Sequence, residues 1–318
     1  MKNTLFAVFL VVPALLASAC TTVAPARGVG PAPVAESRVF DARARQYVDF
    51  GTFADAASKA DVVFFGEQHD NPATHRAELA LLAAVGARRS NVVVSLEMFD
   101  RDVQSVLDAY LGGQIAESVF VATSRAWPRY NTDYRALVEL ARAHGWIVVA
   151  SNPPRRFATA VSRAGLSALD TMPARDRAMV ARELSCPRDK YYERFAESMK
   201  GHSSGGGPAS ARDSADALAV TNRFYEAQCV KDETMGESIA AAHARAGTGA
   251  IVLHFNGAFH TDMWLGTTAR ARRRMPNARA LLVTAVPVDD VARTDAAAFA
   301  DRADYVILTP KPPKPKPD

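Results

Sequence analysis

Several things are missing from this 318-residue chain, and each absence excludes something. Past the N-terminus no apolar run reaches the roughly 18–20 residues that a membrane span needs. No basic stripe with interleaved aromatics accompanies the net charge of +4, so nucleic acid is not a suggested partner. The Arg270–Arg274 cluster reads as a solvated helix face. No H-x-x-x-H helix of a metalloprotease and no nucleophile elbow occurs. Cysteine is scarce: beyond Cys20 there are only Cys186 and Cys229. The remainder is ordinary for a globular chain, 48% hydrophobic and 23% charged, with enough length for one large core or a core plus a subdomain.

The first residues read as a targeting segment. Lys2, the apolar run Leu5–Leu16 and the small residues Ala17-Ser18-Ala19 form a secretory signal peptide over residues 1–19. Cys20 directly after them resembles the lipidated first residue of a bacterial lipoprotein, and Thr21 behind it suggests the outer membrane, facing the periplasm. Residues 20–36 read as a tether, 37–309 as the folded domain and 310–318 as a polyproline-like tail. Export places Cys186 and Cys229 in an oxidising compartment, where they are expected to pair.

The chain is organised around Asp61–His75, DVVFFGEQHDNPATH. Its apolar run predicts a buried strand, and Gly66 opens a polar turn holding Glu67 and His69 before a helix begins near Pro72. Further strands are predicted at Asn91–Leu96, Trp146–Ala150, Ala250–Phe255, Ala278–Val286 and Tyr305–Leu308. Helical patterns separate them, and residues 157–246 contain no strand candidate. Strands alternating with helices predict an α/β fold: a mostly parallel sheet flanked by helices, with an inserted helical subdomain at about 157–246.

In such a sheet the strand ends share one edge, where ligands collect. The predicted ends carry Glu67 and His69, then Glu97, then Asn152, then Asn256 and His260. Glu67, His69, Glu97 and His260 could act as acid and base in a hydrolase, and His69 and His260 could ligate a divalent metal. His254, inside a strand, reads as a hydrogen-bonded core histidine, while His75, His144 and His243 read as bland helix residues.

Several runs carry a resemblance: FFGEQHDNPATH, LEMF, YRALVELARAHG leading to VVASNPPR, AQCVKDETMGESIA and HFNGAFH. Together they resemble the ChaN family of haem-binding uptake lipoproteins, in a superfamily with the Tiki proteases and erythromycin esterases. The resemblance spans about Val62–Val286. It implies haem binding in iron uptake at the outer membrane, a homodimer around haem, tyrosine ligation of the iron and a TonB-dependent receptor as partner. Tyr130 and Tyr134 are the leading ligand candidates, with Tyr191, Tyr192 and Tyr225 behind them. His202, on a Gly/Ser loop, is the imidazole alternative. Arg155 and Arg156 are placed to hold haem propionates. The absence of C-x-x-C-H excludes covalent haem attachment. The alternative to haem capture is an acid/base or metal-assisted hydrolase, esterase- or protease-like, on the strand-end cluster.

Overall fold

The computed structural model describes residues 36–200 and 211–312. The expected leader, Cys20, nearly all of the expected tether, His202 and the last six residues lie outside that range. Eight strands form one sheet: β1 (Arg38–Asp41), β2 (Gln46–Val48), β3 (Val62–Glu67), β4 (Val92–Asp100), β5 (Ile147–Asn152), β6 (Ile251–Gly257), β7 (Ala280–Val288) and β8 (Tyr305–Pro310). Their order is β2-β1-β8-β7-β3-β6-β4-β5. All pairings from β8 to β5 are parallel; β1 is antiparallel to both β8 and β2. The predicted six-strand core is therefore present. The β1–β2 hairpin has no counterpart among the predicted strands, because strands of three and four residues are too short to show an alternating pattern.

The central strands are buried on both faces, which explains the apolar runs that open them. One face packs Val63, Phe65, Val94 and Leu253 with α1 (Phe50–Ser58), α2 (Pro72–Gly86), α3 (Gln104–Leu111), α4 (Glu117–Thr123) and α5 (Arg135–His144). The other packs Val62, Phe64, Val93 and Val252 with Ile239 and Ala242 of α9 (Ala211–Ala246) and Ala271 of α10 (Gly266–Arg274). Local chemistry starts and stops these helices. Asn71 caps α2, its side chain accepting from the Thr74 amide, with Pro72 next. Gly145, at φ 67°, ends α5 in the left-handed conformation.

The strand-free stretch holds α6 (Arg155–Ala164), α7 (Ala174–Arg177), α8 (Lys190–Lys200) and α9. At about 1.5 Å per residue, the 36 residues of α9 run about 54 Å. Its C-terminal half packs on the sheet, so the helical segment is continuous with the main core. Cys186 and Cys229 are bonded, their sulfurs 2.06 Å apart. The arginine cluster is only partly the solvated face its charge predicts. Arg270 is buried, its guanidinium 5.1 Å from the Tyr191 ring centroid, and Arg273 and Arg274 both pair with the buried Glu233.

Candidate functional site

Parallel pairing brings β3, β6 and β4 side by side, with Glu67 opposite Gly257. A register shift in β4 between Leu96 and Asp100 carries Glu97 at the strand end. Glu67 follows Val63 and Phe65 toward the α2–α5 face, and Glu97 follows Val93 and Ser95 toward the α9 face. Two carboxylates thus stand on opposite faces of one edge, with the Gly257 backbone between them.

Glu67 is buried, and its two oxygens have different surroundings. Oε1 accepts from the Tyr134 hydroxyl at 2.8 Å and contacts His69 Nδ1 at 2.5 Å. Oε2 faces His75 Nδ1 at 3.5 Å, and no backbone N–H or hydroxyl of the described residues donates to it. His75 Nδ1 also lies 2.9 Å from Glu78 Oε2. Burial, the charge of Glu67 and a hydrogen bond to it together push the Glu78 carboxyl well above the ordinary carboxyl range. The imidazole of His69 is half exposed, its ring edge-on to Trp127 with centroids 5.0 Å apart. Burial opposes its charge, but the hydrogen bond and charge of Glu67 outweigh that and raise its pKa. A Cβ on Gly257 would stand 2.7 Å from Nε2 of this ring, so glycine is what lets the histidine lie over the strand end.

The second cluster centres on His260. Its Nδ1 meets Asp232 Oδ1 at 2.7 Å and its Nε2 meets Glu97 Oε1 at 3.3 Å. Asp232 also accepts from Thr267 and Tyr191, each at 2.8 Å, and Glu97 Oε2 accepts from the Gly257 amide at 2.8 Å. Burial disfavours the charged imidazole, but the charges of Glu97 and Asp232 overcome this and push its pKa up to about 10. Burial likewise opposes ionisation of Glu97, yet His260 holds the carboxyl far below its ordinary value. This is a buried carboxylate–imidazolium–carboxylate chain. Nearby His254 is the core histidine its strand position predicts: Nδ1 lies 2.9 Å from Ser95 Oγ, and burial pushes its pKa down to about 3.

Beside these clusters opens a cleft of about 490 Å³. Met98, Trp127, Pro128 and Pro153 supply apolar wall, and Arg125, Arg155 and Lys231 supply positive charge. Asn152 lines it from the end of β5.

The structure brings together all four strand-end residues: Glu67 with His69, and Glu97 with His260, on either side of Gly257. His69 and His260 belong to different clusters, each with its own carboxylates. The haem-binding candidates fare differently. Tyr130 is a core residue against Phe99 and Phe120, its hydroxyl buried and without a partner. Tyr134 is buried with its hydroxyl engaged by Glu67, and burial with that charge raises its pKa strongly. Neither hydroxyl is open to an iron atom. Tyr191 and Tyr225 are also fully buried, leaving Tyr192 half-buried, its hydroxyl donating to Asn222 Oδ1 at 2.8 Å. Arg155 lines the cleft, whereas Arg156 is drawn off to Asp102 at 2.9 Å and Asp176 at 3.6 Å. Sequence reasoning missed Asp232, whose helix meets the sheet edge only in three dimensions, and it offered Tyr191 as an iron ligand where the structure gives its hydroxyl to Asp232. It also passed over His75, although position i+3 to Glu78 on one helix was a visible signal.

The family model described as haem-binding uptake, Tiki superfamily, ChaN matches residues 53–271. The chain belongs to the ChaN family. Among solved structures, it is similar to ChaN of Campylobacter jejuni, described with cofacial haem binding, at 16% identity and TM-score 0.63, over 85% of this chain and 96% of that one. A Bacillus cereus protein matches at 9% identity and TM-score 0.46, over 81% and 90% of the two chains. A mutant of the erythromycin esterase EreC in its open conformation matches at 11% identity and TM-score 0.42, over 78% and 76%. No curated protein matches. The ChaN assignment agrees with the resemblance carried by the strand-end motifs, and the ChaN fold is the α/β sheet described above.

Proposed function

We propose that this ChaN-family chain binds haem and takes part in haem-iron uptake. Membership of the haem-binding uptake family over 219 residues, 53–271, carries the reading. The cleft suits a porphyrin in chemistry and size. An apolar wall meets the ring, cations meet the two propionates, and about 490 Å³ lies within the usual range for small-molecule sites, roughly 300–1,000 Å³. Arg155 and Lys231 are the propionate partners in this reading, since Arg125 is already tied to Asp102. Among the described residues no tyrosine or histidine lines the cleft, so the iron ligand is sought elsewhere, at Tyr192 or His202.

Hemin titration of the full chain tests this directly. A saturable Soret shift is expected, weakened in Arg155→Ala and lost in either Tyr192→Phe or His202→Ala. A non-saturable titration overturns it. Light scattering on the same samples tests the proposed haem-linked homodimer, whose mass doubles with bound haem. Lipidation at Cys20 and outer-membrane attachment belong to the same proposal. Labelled palmitate is expected to enter the wild type and not Cys20→Ser. A TonB-dependent receptor as haem donor or acceptor is tested by crosslinking in cells.

A hydrolytic role is the second reading. It is favoured by the half-exposed His69 bonded to buried Glu67 beside the cleft. Glu67→Gln should abolish any ester or peptide hydrolysis and leave the Soret shift in place.

A further inference from the structure

Beneath His69 lies a donor set that neither haem binding nor the His260 chain uses. His75 Nε2 faces only oxygens, the His69 carbonyl at 3.2 Å and Asp133 Oδ2 at 3.5 Å. With a cation on the other nitrogen, Nε2 is the one that carries the proton. The other nitrogen, Nδ1, points at two carboxylates, Glu78 Oε2 at 2.9 Å and Glu67 Oε2 at 3.5 Å. Two further facts show that something positive is wanted there. Glu67 Oε2 and Glu78 Oε1 are both fully buried, and among the described residues no backbone N–H and no donor of another side chain reaches either, so only a proton held between the two carboxyls or a cation compensates them. Leaving such an acceptor dry and unpaired is costly, and more so when it is charged. One ligand atom from each of Glu67, His75 and Glu78 can be chosen so that all lie within 4.8 Å of one another, close enough for one ion to reach all three.

We propose that Glu67, His75 and Glu78 bind a divalent first-row metal ion beneath the strand edge. One imidazole nitrogen and two carboxylate oxygens suit Zn²⁺, Mn²⁺ or Fe²⁺ and not a thiophilic ion. The surroundings are those of an ordered metal site. Ligating histidines usually donate their second N–H to a carboxylate or backbone carbonyl, and His75 Nε2 has both within reach. Asp133 is itself held by Arg129 at 2.5 Å. Glu67 is oriented by Tyr134 and His69 through the oxygen that faces away from the ion. This gives Tyr134 a structural task in place of iron ligation. It also separates the ion from the His69/His260 pair that the sequence suggested, because those two rings sit in different clusters. All three ligands are at least 95% buried, so the ion enters as the chain folds or opens locally.

The test is metal content of haem-free full chain, solubilised in detergent. Protein is unfolded in guanidinium with chelator, refolded with Zn²⁺ or Mn²⁺, freed of loose ion by gel filtration and analysed by mass spectrometry for metals. About one equivalent per chain is expected for the wild type, and under about one-tenth for Glu78→Gln and His75→Asn, with far-UV circular dichroism as the check on folding. Should either variant fail to fold, pulsed EPR of the Mn²⁺-loaded wild type still decides: coupling to a single imidazole nitrogen supports the site. Wild type that retains no metal, coupling to two imidazoles, or folded variants that keep a full equivalent each overturn it.

Discussion

Replacing His260 by Asn removes the cation from between Glu97 and Asp232, both almost completely buried. Two carboxylates are then left facing each other across the strand edge without compensation. Breaking a buried pair in this way costs about 3–5 kcal/mol, because the penalty of burying the charges remains after their attraction is gone. The pH dependence is more diagnostic than the size. Between the ordinary histidine value of 6.5 and about 10, folded His260 holds a proton that the unfolded chain has released. Stability is therefore complete below 6.5 and falls as pH rises toward about 10, by about 1.4 kcal/mol per pH unit for this one proton. The low-lying Glu97 carboxyl acts at the other end: its contribution is present above the ordinary 4.5 and lost as pH falls below it. These are two views of one interaction and do not add. Guanidinium unfolding at a series of pH values from 6 to about 9.5 reads the slope. The same slope in His260→Asn as in wild type, or a variant within about 1 kcal/mol of wild type at pH 7, refutes the buried imidazolium.

Other outcomes follow from the same geometry. A Cβ on Gly66 would lie 2.8 Å from Thr261 Oγ1 and 2.9 Å from the Ala258 backbone, so Gly66→Ala should cost about 1–3 kcal/mol in chemical denaturation. Gly247→Ala, with nothing within 4 Å but φ at 78°, should cost about 1 kcal/mol, and equal costs at the two sites would refute the crowding. The Cys186–Cys229 bond closes a loop of sequence separation 43, so Cys229→Ser should lower stability by about 2–4 kcal/mol; two titratable thiols before any reductant is added would show the bond absent in solution. Arg155→Ala should weaken hemin binding about tenfold, the effect of losing one charged hydrogen-bond partner, while Arg156→Ala, whose guanidinium is spent on Asp102 and Asp176, should leave it within about twofold.

How much of this was legible in the chain differs between fold and site. The apolar runs at 62–65, 92–94 and 250–253 are what strands buried on both faces require, and the helical periods between them imply parallel crossovers. Pro72 marked the start of α2. The strand-end carboxylates and histidines were visible for the same reason: a polar residue directly after an apolar run must lie at the sheet edge. The β1–β2 hairpin was not, because its strands are too short to carry a period. Exposure was not legible either. Tyr134 and Tyr130 read as iron-ligand candidates, and only packing against Glu67, Phe99 and Phe120 closes both hydroxyls off from a ligand.

The amino-acid sequence by itself determined the element types, the edge at which the chemistry gathers and the ChaN-like motifs, because these depend on local pattern and on residues adjacent in the chain. Tertiary structure alone decided the partners. Strand order sets β6 between β3 and β4, although nearly 190 residues separate Glu67 from Gly257. That order divides the edge into two clusters, assigning His69 to Glu67 and His260 to Glu97. The long helix α9 then delivers Asp232 to His260, while α2 turns His75 and Glu78 inward beneath Glu67. Charges buried this deeply persist only where a partner from another part of the chain compensates them, and local sequence carries no record of which part that is.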